Sequence, residues 1–241
     1  MTGTLYCVGV GPGDPELMTL KSARIIAEAP IYAFFAKRGR PGHARVIAAA
    51  HLRDDATALR FEYPFTTERH VDDPAYIDAM AAFYAASAET LAAHLQSGAD
   101  IALLCEGDPF FYGSAMYLFD HLAPRHKTVI VPGITAMSGC WTSAGVPMTH
   151  GDDVLTVLPG TLDESSLATR LAGTDAAVIM KVGRNLPKIC AALAQAGRFE
   201  SAVYVERGTM MDQRVTRLCE RPDAPAPYFS LVLVPGRQRA R

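Results

Sequence analysis

Short apolar runs alternate with helical patterns over almost the whole sequence, and this alternation limits the possible folds more than any other feature. Leu5–Val10, Ile31–Ala36 and Ile101–Cys105 are continuous apolar runs, as expected for strands buried on both faces of a sheet. From Pro74 to Ser97 apolar residues recur every three or four positions, which predicts a long helix capped by Asp73. Strands that alternate with helices form mostly parallel sheets, so the predicted fold class is α/β.

A second alternation begins after a short polar stretch, Ala123–Lys127, which contains a proline. The length of 241 residues suits two domains of the commonest size, about 100–150 residues each. We therefore predict two α/β domains, residues 1–123 and 128–241, with Ala123–Lys127 as the linker. The strands predicted in the second domain are Val129–Val131, Val154–Leu158, Ala177–Val182, Ala202–Glu206 and Phe229–Val234.

Composition excludes several classes of protein. Lys and Arg total 23 and Asp and Glu total 25, and the net charge of −2 argues against a nucleic-acid-binding protein. The five cysteines are far apart and the seven histidines show no ligand-like pairing with them, so we expect neither a disulfide framework nor a metal site. The N-terminus lacks a signal-peptide pattern, and the longest uncharged stretch, Thr128–Thr149, is interrupted by prolines and glycines. We expect a cytoplasmic protein with no membrane partner.

The first candidate binding segment is the glycine-rich turn Gly9–Pro15, which follows the first predicted strand. Glycines let a ligand approach the backbone without obstruction by Cβ atoms. A dinucleotide site would need a third glycine where Asp14 stands, and Pro12 removes an N–H that a phosphate cradle would use. The segment therefore argues against a pyrophosphate ligand, while a turn with only a packing role remains the alternative.

The second candidate segment is Cys105–Ser114, where a strand end is followed by acidic, glycine and aromatic residues. Ligands of open α/β sheets bind outside the carboxyl ends of strands, where this segment should lie. Acidic groups complement a sulfonium or ammonium, and aromatic rings offer stacking or cation–π contacts. A flat, cationic or neutral ligand is favoured. The alternative is that Asp108 caps the next helix and the aromatic residues belong to the core.

The third candidate segment, Val131–Ser138, combines a strand end, a Pro-Gly turn and a helix start rich in small residues. Free backbone N–H groups at a helix N-terminus suit a carboxylate or a ring nitrogen. Three such segments spread over two domains predict a cleft between the domains. Phosphate-loop, zinc-protease, serine-hydrolase and calcium-loop motifs are missing from the sequence.

Five segments taken together resemble the two-domain tetrapyrrole methyltransferases that use S-adenosylmethionine, and the similarity spans nearly the whole chain. They are VGVGPGDPELMTLKSARII from Val8, CEGDPFFYGS from Cys105, VPGITAMSG from Val131, MKVGRN from Met180 and VERGT from Val205. Within the family, Glu106 replaces the glycine that commonly precedes Gly-Asp-Pro. This residue, the Phe-Phe-Tyr-Gly-Ser continuation and His43-Ala44-Arg45 look most like the branch that methylates precorrin-2 at C20 in vitamin B12 synthesis.

The resemblance implies an α/β homodimer with the cofactor folded between the domains and the tetrapyrrole in a trough beside it. It also implies a set of residues that contact the cofactor S-adenosylmethionine, namely Pro12, Glu106, Gly107, Asp108, Phe111, Thr135, Ala136, Met180 and Gly208. Asp14 matches the family's loop carboxylate and is assigned to orientation of the substrate. The implied reaction is methyl transfer to C20 of precorrin-2, which gives precorrin-3A, without a metal cofactor.

A tetrapyrrole substrate carries several carboxylates, so cationic residues should line its trough. The candidates, in and after the loop that follows the second strand, are Lys37, Arg38, Arg40 and Arg45. For each of them an ordinary solvated surface position is the alternative.

Two groups of alternatives remain open at this stage. Within the family, the acceptor is a cobalt-containing precorrin, another precorrin carbon, or a macromolecule such as RNA or a modified protein. Outside it, the chain is a nucleotide-binding oxidoreductase or a non-catalytic sensor of the cofactor. Asp14 in the glycine-rich turn argues against the oxidoreductase.

Overall fold

A computed structural model describes residues 2–65 and 73–236, which leaves His70, one of the seven histidines, outside the described residues. The chain forms two compact units, Met1–Thr135 and Ala136–Arg241. Each unit contains a sheet covered by helices. The predicted α/β fold class is confirmed.

The first unit has a sheet whose described strands are all parallel. Its strands are Leu5–Gly9 (β1), Ile31–Ala36 (β2), Thr57–Glu62 (β3), Ile101–Cys105 (β4) and Thr128–Val131 (β5). Its helices are Leu20–Glu28 (α1), His43–Ile47 (α2), Pro74–Gln96 (α3) and Ala115–Leu122 (α4), with 3₁₀ turns at Pro15–Leu17 and Ala49–His51. The strand order is β3-β2-β4-β1-β5, which puts β4 and β1 in the buried centre.

Local sequence signals explain where the first unit's helices begin and end. The Thr19 hydroxyl accepts a hydrogen bond from the Ser22 N–H at 3.1 Å and caps α1. Asp73 caps α3 by accepting from the Ala75 N–H at 2.9 Å, and Gly98, at φ +92°, follows the end of that helix. The predicted strands β1, β2 and β4 and the predicted helix α3 are confirmed. The sequence patterns missed β3 and α2 because β3 is a half-exposed edge strand and α2 has five residues.

The predicted boundary between the domains is wrong. Residues 123–127 do not link the units: the Arg125 and His126 N–H groups donate to the Leu122 carbonyl at 3.0 and 2.8 Å and close the end of α4. β5 then pairs with β1 in the first sheet, with Leu5 opposite Thr128. The division lies between Thr135 and Ala136, after the last strand of the first sheet.

The second unit has a mixed sheet in its described residues. Its elements are Ala136–Ser143 (α5), Leu155–Pro159 (β6), Glu164–Ala172 (α6), Ala176–Met180 (β7), Leu186–Gln195 (α7), Val203–Glu206 (β8), Arg214–Arg217 (β9) and Ser230–Val234 (β10), with 3₁₀ turns at Gly183–Asn185 and Leu218–Glu220. The strand order is β6-β7-β10-β8-β9. β6 and β7 are parallel, whereas β10 is antiparallel to β7 and β8, and β9 is antiparallel to β8.

The connections explain the strand directions in the second unit. β6, β7 and β8 follow one another through α6 and α7 and run the same way, because a helical crossover returns the chain to the same end of the sheet. β9 and β10 are reached without an α-helical crossover and run the opposite way. The part of the chain that the structure describes contains no helix that could span a membrane.

Candidate active site

Three glycines hold the ends of β4, β1 and β5 close together in the first unit. A Cβ on Gly9 would lie 2.7 Å from the Gly107 carbonyl oxygen and 2.6 Å from the Gly133 nitrogen. A Cβ on Gly133 would overlap the Gly107 carbonyl oxygen. Real Cβ atoms do not approach backbone so closely, so only glycine permits this packing. The three candidate segments predicted from the sequence therefore begin at one compact edge of the first sheet.

Backbone hydrogen bonds join the first two of these loops. The Gly107 N–H donates to the Gly11 carbonyl at 2.8 Å, and the Val10 N–H donates to the Cys105 carbonyl at 2.9 Å. These bonds extend the β1–β4 pairing beyond the strands into the glycine-rich turn, where Gly11 has φ +83°. Pro12 is buried next to this bridge. The turn is therefore held rigidly against the loop Glu106–Ser114, here called the acidic loop.

Asp108 connects the second loop with the third. Its Oδ2 accepts from the Gly133 N–H at 3.0 Å and its Oδ1 accepts from the Phe110 N–H at 2.9 Å. The alternative that Asp108 caps the next helix is wrong, because α4 begins at Ala115 after Ser114. Asp108 orients two loops through its two carboxylate oxygens.

The aromatic residues of the second loop are not all core residues. Phe110 and Tyr112 expose 45% and 44% of their surface, and Phe111 is half-buried with its ring centroid 4.9 Å from that of Tyr112. Tyr112 has φ +56°, a left-handed conformation that is uncommon for a bulky residue. Accessible aromatic rings at the edge of a parallel sheet suit a flat ligand.

Ser22 is a positioning residue that the sequence patterns missed. Its hydroxyl donates to the Gly9 carbonyl at 2.8 Å from the buried face of α1, and Thr19 lies 2.8 Å from the same hydroxyl. Thr19 and Ser22 together fix the end of β1 from the side of α1. The only sequence signal was a small polar residue on the apolar face of a helix.

The Glu106 residue is exposed at the surface, yet the surrounding protein reduces the solvation of its carboxyl. The side chain is exposed, yet desolvation by the surrounding protein raises the pKa of its carboxyl from 4.5 to about 7. A hydrogen bond from the Ala44 N–H opposes this rise in pKa and ties the acidic loop to α2. A carboxyl in this state gains from a cationic ligand that replaces the missing solvation.

Asp14 has a structural contact of its own. Its Oδ1 accepts from the Glu16 N–H at 2.9 Å, so it caps the 3₁₀ turn Pro15–Leu17. The residue is half-buried.

The predicted basic residues follow β2, which is the direct neighbour of β4 in the sheet. Lys37, Arg38 and Arg40 are exposed, and Arg45 is half-buried on α2. The Arg40 N–H donates to the Lys37 carbonyl at 2.9 Å and closes the turn between them. Because α2 also supplies the Ala44 N–H to Glu106, residues 37–45, here called the basic segment, lie beside the acidic loop.

The predicted cofactor residues of the second unit lie at the carboxyl ends of β7 and β8 and on α5. Gly208 packs directly against Cys140 of α5, and the Cys140 sulfur accepts a hydrogen bond from the Gly208 N–H. Met180 ends β7 and packs on the same apolar cluster as Cys140. Ala136 begins α5, and Thr135, the last residue of the first unit, is half-buried. The sequence patterns missed Cys140, whose contact with Gly208 joins two predicted segments.

Strained backbone marks this edge of the second unit. Lys181 follows β7 with φ +55°, and Arg207 and Thr209 follow β8 with φ +47° and +69°. Left-handed conformations of non-glycine residues are costly and concentrate at functional sites. Among the described residues, no group of three or more His, Cys, Asp or Glu side chains is arranged to hold a metal ion.

Comparison with known sequences finds relatives that are named as methyltransferases. The family model for Tetrapyrrole (Corrin/Porphyrin) Methylases matches residues 4–220. The chain is 56% identical over 234 residues to precorrin-2 C(20)-methyltransferase of Sinorhizobium sp, which covers 97% of this chain and 96% of that one. It is 28% identical over 237 residues to cobalt-precorrin-2 C(20)-methyltransferase of Salmonella typhimurium, with 97% of each chain covered.

Comparison with solved structures gives the same fold. The methyltransferase CobJ matches with a TM-score of 0.69 and 19% identity, covering 100% of this chain and 97% of that chain. Uroporphyrin-III C-methyl transferase from Thermus thermophilus, solved with S-adenyl homocysteine, matches with a TM-score of 0.67 and 23% identity, covering 96% and 97%.

Proposed function

The chain belongs to the tetrapyrrole (corrin/porphyrin) methylases, and from this premise we propose that it transfers a methyl group from S-adenosylmethionine to C20 of precorrin-2. The products are precorrin-3A, S-adenosylhomocysteine and the proton lost from C20, in the synthesis of cobalamin. The observation that carries the proposal is the 56% identity, over 97% of this chain, to a protein named for that reaction. We further propose that the protein acts in the cytoplasm as a homodimer.

The residues present suit the methyl donor. S-adenosylmethionine supplies an electrophilic methyl group on a cationic sulfonium. The acidic Glu106 is accessible and poorly solvated, so a cation next to it would replace lost solvation. Phe111 and Tyr112 offer aromatic surface beside it. We assign donor contacts to Pro12, Glu106, Gly107, Asp108, Phe111, Thr135, Ala136, Met180 and Gly208.

The main task of the protein in this reaction is positioning. Reduced pyrrolic rings are electron-rich, so the acceptor brings its own carbon nucleophile and no reactive serine or cysteine is required. Burial raises the pKa of Cys7 and Cys140 to about 12 each, so neither thiol is a nucleophile. The rigid loops at Gly9, Gly107 and Gly133 would hold the reactants in line and exclude water. Asp14 is assigned to orienting the acceptor.

The pH dependence of donor binding tests Glu106. In the free protein the carboxyl is largely protonated below about 7, because desolvation disfavours its charge. A cation next to it favours the ionised form, so S-adenosylmethionine should bind more tightly as the pH rises from about 6 to about 8. Titration calorimetry on wild type and Glu106→Gln would measure this, and the variant should lose the pH dependence.

Two controls make the Glu106 prediction specific. S-adenosylhomocysteine lacks the sulfonium charge, so the pH dependence of its binding should be weaker. In the absence of ligand the raised pKa predicts that the free energy of unfolding falls as the pH rises from 4.5 to about 7, and that Glu106→Gln removes this component. Equal pH profiles for wild type and variant would refute the assignment of Glu106 to the cationic donor.

Charge reversal in the basic segment tests the acceptor site. Arg38 and Arg40 are exposed on the segment next to the acidic loop, and their charges suit the carboxylates of a tetrapyrrole. Arg38→Glu or Arg40→Glu should weaken precorrin-2 binding about tenfold and leave S-adenosylhomocysteine binding unchanged. Arg170→Glu, at an exposed position on α6, is the matched control. Unchanged affinity for the acceptor in both variants would reject these two residues.

The reaction itself is tested by anaerobic incubation with methyl-labelled S-adenosylmethionine and a mixture of metal-free and cobalt-loaded precorrin-2. Mass spectrometry reads the products and NMR locates the label. Label at C20 of the metal-free product is the expected result. Label only in the cobalt product would favour the activity for which the Salmonella typhimurium relative is named. No transfer to either, with donor binding intact, would direct the search to another acceptor.

A further inference from the structure

The turn after β8 has an unusual backbone. Arg207 and Thr209 both adopt left-handed φ values, +47° and +69°, on either side of Gly208. Neither residue is a glycine, so the turn would relax to another shape unless its surroundings hold it. The proposed function assigns Gly208 to the methyl donor, which makes the shape of this turn important.

Each residue of the turn Arg207–Thr209 has a contact that holds it in place. The Arg207 N–H donates to the Phe229 carbonyl at 2.8 Å, and the Thr209 N–H donates to Gln213 Oε1 at 2.6 Å. Cys140 packs against Gly208 with no room for a Cβ. These contacts fix the turn from Arg207 onward. The backbone at its entry, Glu206, ends β8 and lies opposite Ser230 of β10 and Arg214 of β9.

The Glu206 side chain contacts two buried partners. Its Oε1 accepts from the Tyr204 hydroxyl at 2.9 Å and lies 3.8 Å from Nη2 of Arg221. The Arg221 guanidinium also lies over the Tyr204 ring, 4.6 Å from its centroid. Only 16% of the Glu206 side chain and 8% of the Arg221 side chain are exposed. Burial raises the pKa of Tyr204, so its hydroxyl keeps the proton that it donates.

Arg221 is fixed in turn by its own loop. Nη1 donates to the Pro222 carbonyl at 2.9 Å and Nη2 donates to the Ala224 carbonyl at 2.7 Å. Its Nε is buried without a hydrogen-bond partner among the described residues. A buried ion pair with an unsatisfied donor is a poor way to add stability. Its geometric effect is clearer: the guanidinium places a fixed positive charge 3.8 Å from Glu206 Oε1 and covers the ring of Tyr204, whose hydroxyl donates to the same oxygen.

We propose that Arg221 is a positioning residue for the methyl donor, which acts through Glu206 to hold the strained turn Arg207–Thr209 in the shape that presents Gly208. The inference rests on the proposed assignment of Gly208. Arg221 lies just beyond residues 4–220, which match the family model. It also lies outside the five segments that resemble the family.

The test compares donor and acceptor in the full-length protein. Arg221→Lys keeps the charge but loses the planar fork, and Tyr204→Phe keeps the ring but loses the hydroxyl. We expect each to weaken S-adenosylhomocysteine binding about tenfold and to raise the KM for the donor accordingly, while the KM for the acceptor stays within about twofold. Arg217→Lys is the matched control, because Arg217 is exposed and pairs with Glu220 at the surface.

A second variant covers the possibility that Arg221→Lys does not fold. Arg221→Met combined with Glu206→Gln removes both charges and leaves no buried charge without a partner. It should fold and still bind S-adenosylhomocysteine weakly. Donor affinity within about twofold of wild type in the folded variants would overturn the inference, as would equal losses of donor and acceptor affinity with a lowered Tm. If wild type itself fails to bind S-adenosylhomocysteine, the proposed function fails instead.

Discussion

Replacement of Gly133 by alanine is expected to reduce methyl transfer at least about 100-fold, because the new Cβ would overlap the Gly107 carbonyl oxygen. The clash is between backbone groups, so no flexible side chain can move to relieve it. Either the third loop shifts away from the second, or the bond between the Gly133 N–H and Asp108 is lost. We also expect the free energy of unfolding to fall by about 1–3 kcal/mol, as for other overpacked sites.

Steady-state kinetics and calorimetry with S-adenosylhomocysteine would measure this effect. Gly173→Ala is the matched control, because a Cβ at Gly173 would meet its nearest atom at an ordinary 3.5 Å. Both substitutions remove the backbone freedom of a glycine, and only Gly133→Ala creates a clash. If Gly133→Ala retains near wild-type activity, the close packing of the three loops does not position the reactants.

Replacement of Arg198 by methionine is expected to destabilise the second unit by about 3 kcal/mol or more. The guanidinium is buried and donates to three carbonyls, those of Thr174, Asp175 and Pro235, at 3.1, 2.8 and 2.8 Å. These carbonyls come from the segment before β7 and from the end of β10, so one side chain joins two distant parts of the unit. Methionine fills similar space but leaves all three acceptors without this donor.

Urea denaturation with a probe in the second unit, the single tryptophan Trp141, would measure the loss. Arg184→Met is the control, because Arg184 is exposed and an equal substitution there should change the free energy of unfolding by less than about 0.5 kcal/mol. Equal stability of the two variants would show that the three carbonyls find other donors. We expect folded Arg198→Met to lose stability but to keep its affinity for the donor. This result would distinguish the structural role of Arg198 from the positioning role of Arg221.

Elements with strong local signals were predicted well from the sequence. The apolar run of β4 and the capped, periodic pattern of α3 each depend on residues close together in the chain. β3 and β9 were missed because their partly exposed edge positions carry polar residues such as Arg60 and Arg214. The linker prediction failed because a proline near a helix end looks the same whether the next strand joins the old sheet or begins a new one.

Some residues of the candidate site were predicted from the sequence and others were not. The loops containing Gly9, Glu106 and Gly133 were predicted because each follows a strand and carries its own turn residues. Ser22 and Cys140 were missed, since each acts on a glycine far away in sequence. Arg221 was missed for the same reason: it belongs to no motif, and its role depends on its contacts with Tyr204 and Glu206.

The sequence by itself determined the alternation of strands and helices, the identity of the loops at the strand ends and the resemblance to a methyltransferase family. These follow from burial periodicity and turn chemistry, which are local properties. Only the tertiary structure decided that β5 completes the first sheet, that the second sheet is mixed, and that the Glu106 carboxyl is poorly solvated. Strand pairing and desolvation depend on groups that are distant in the chain, so no local pattern encodes them.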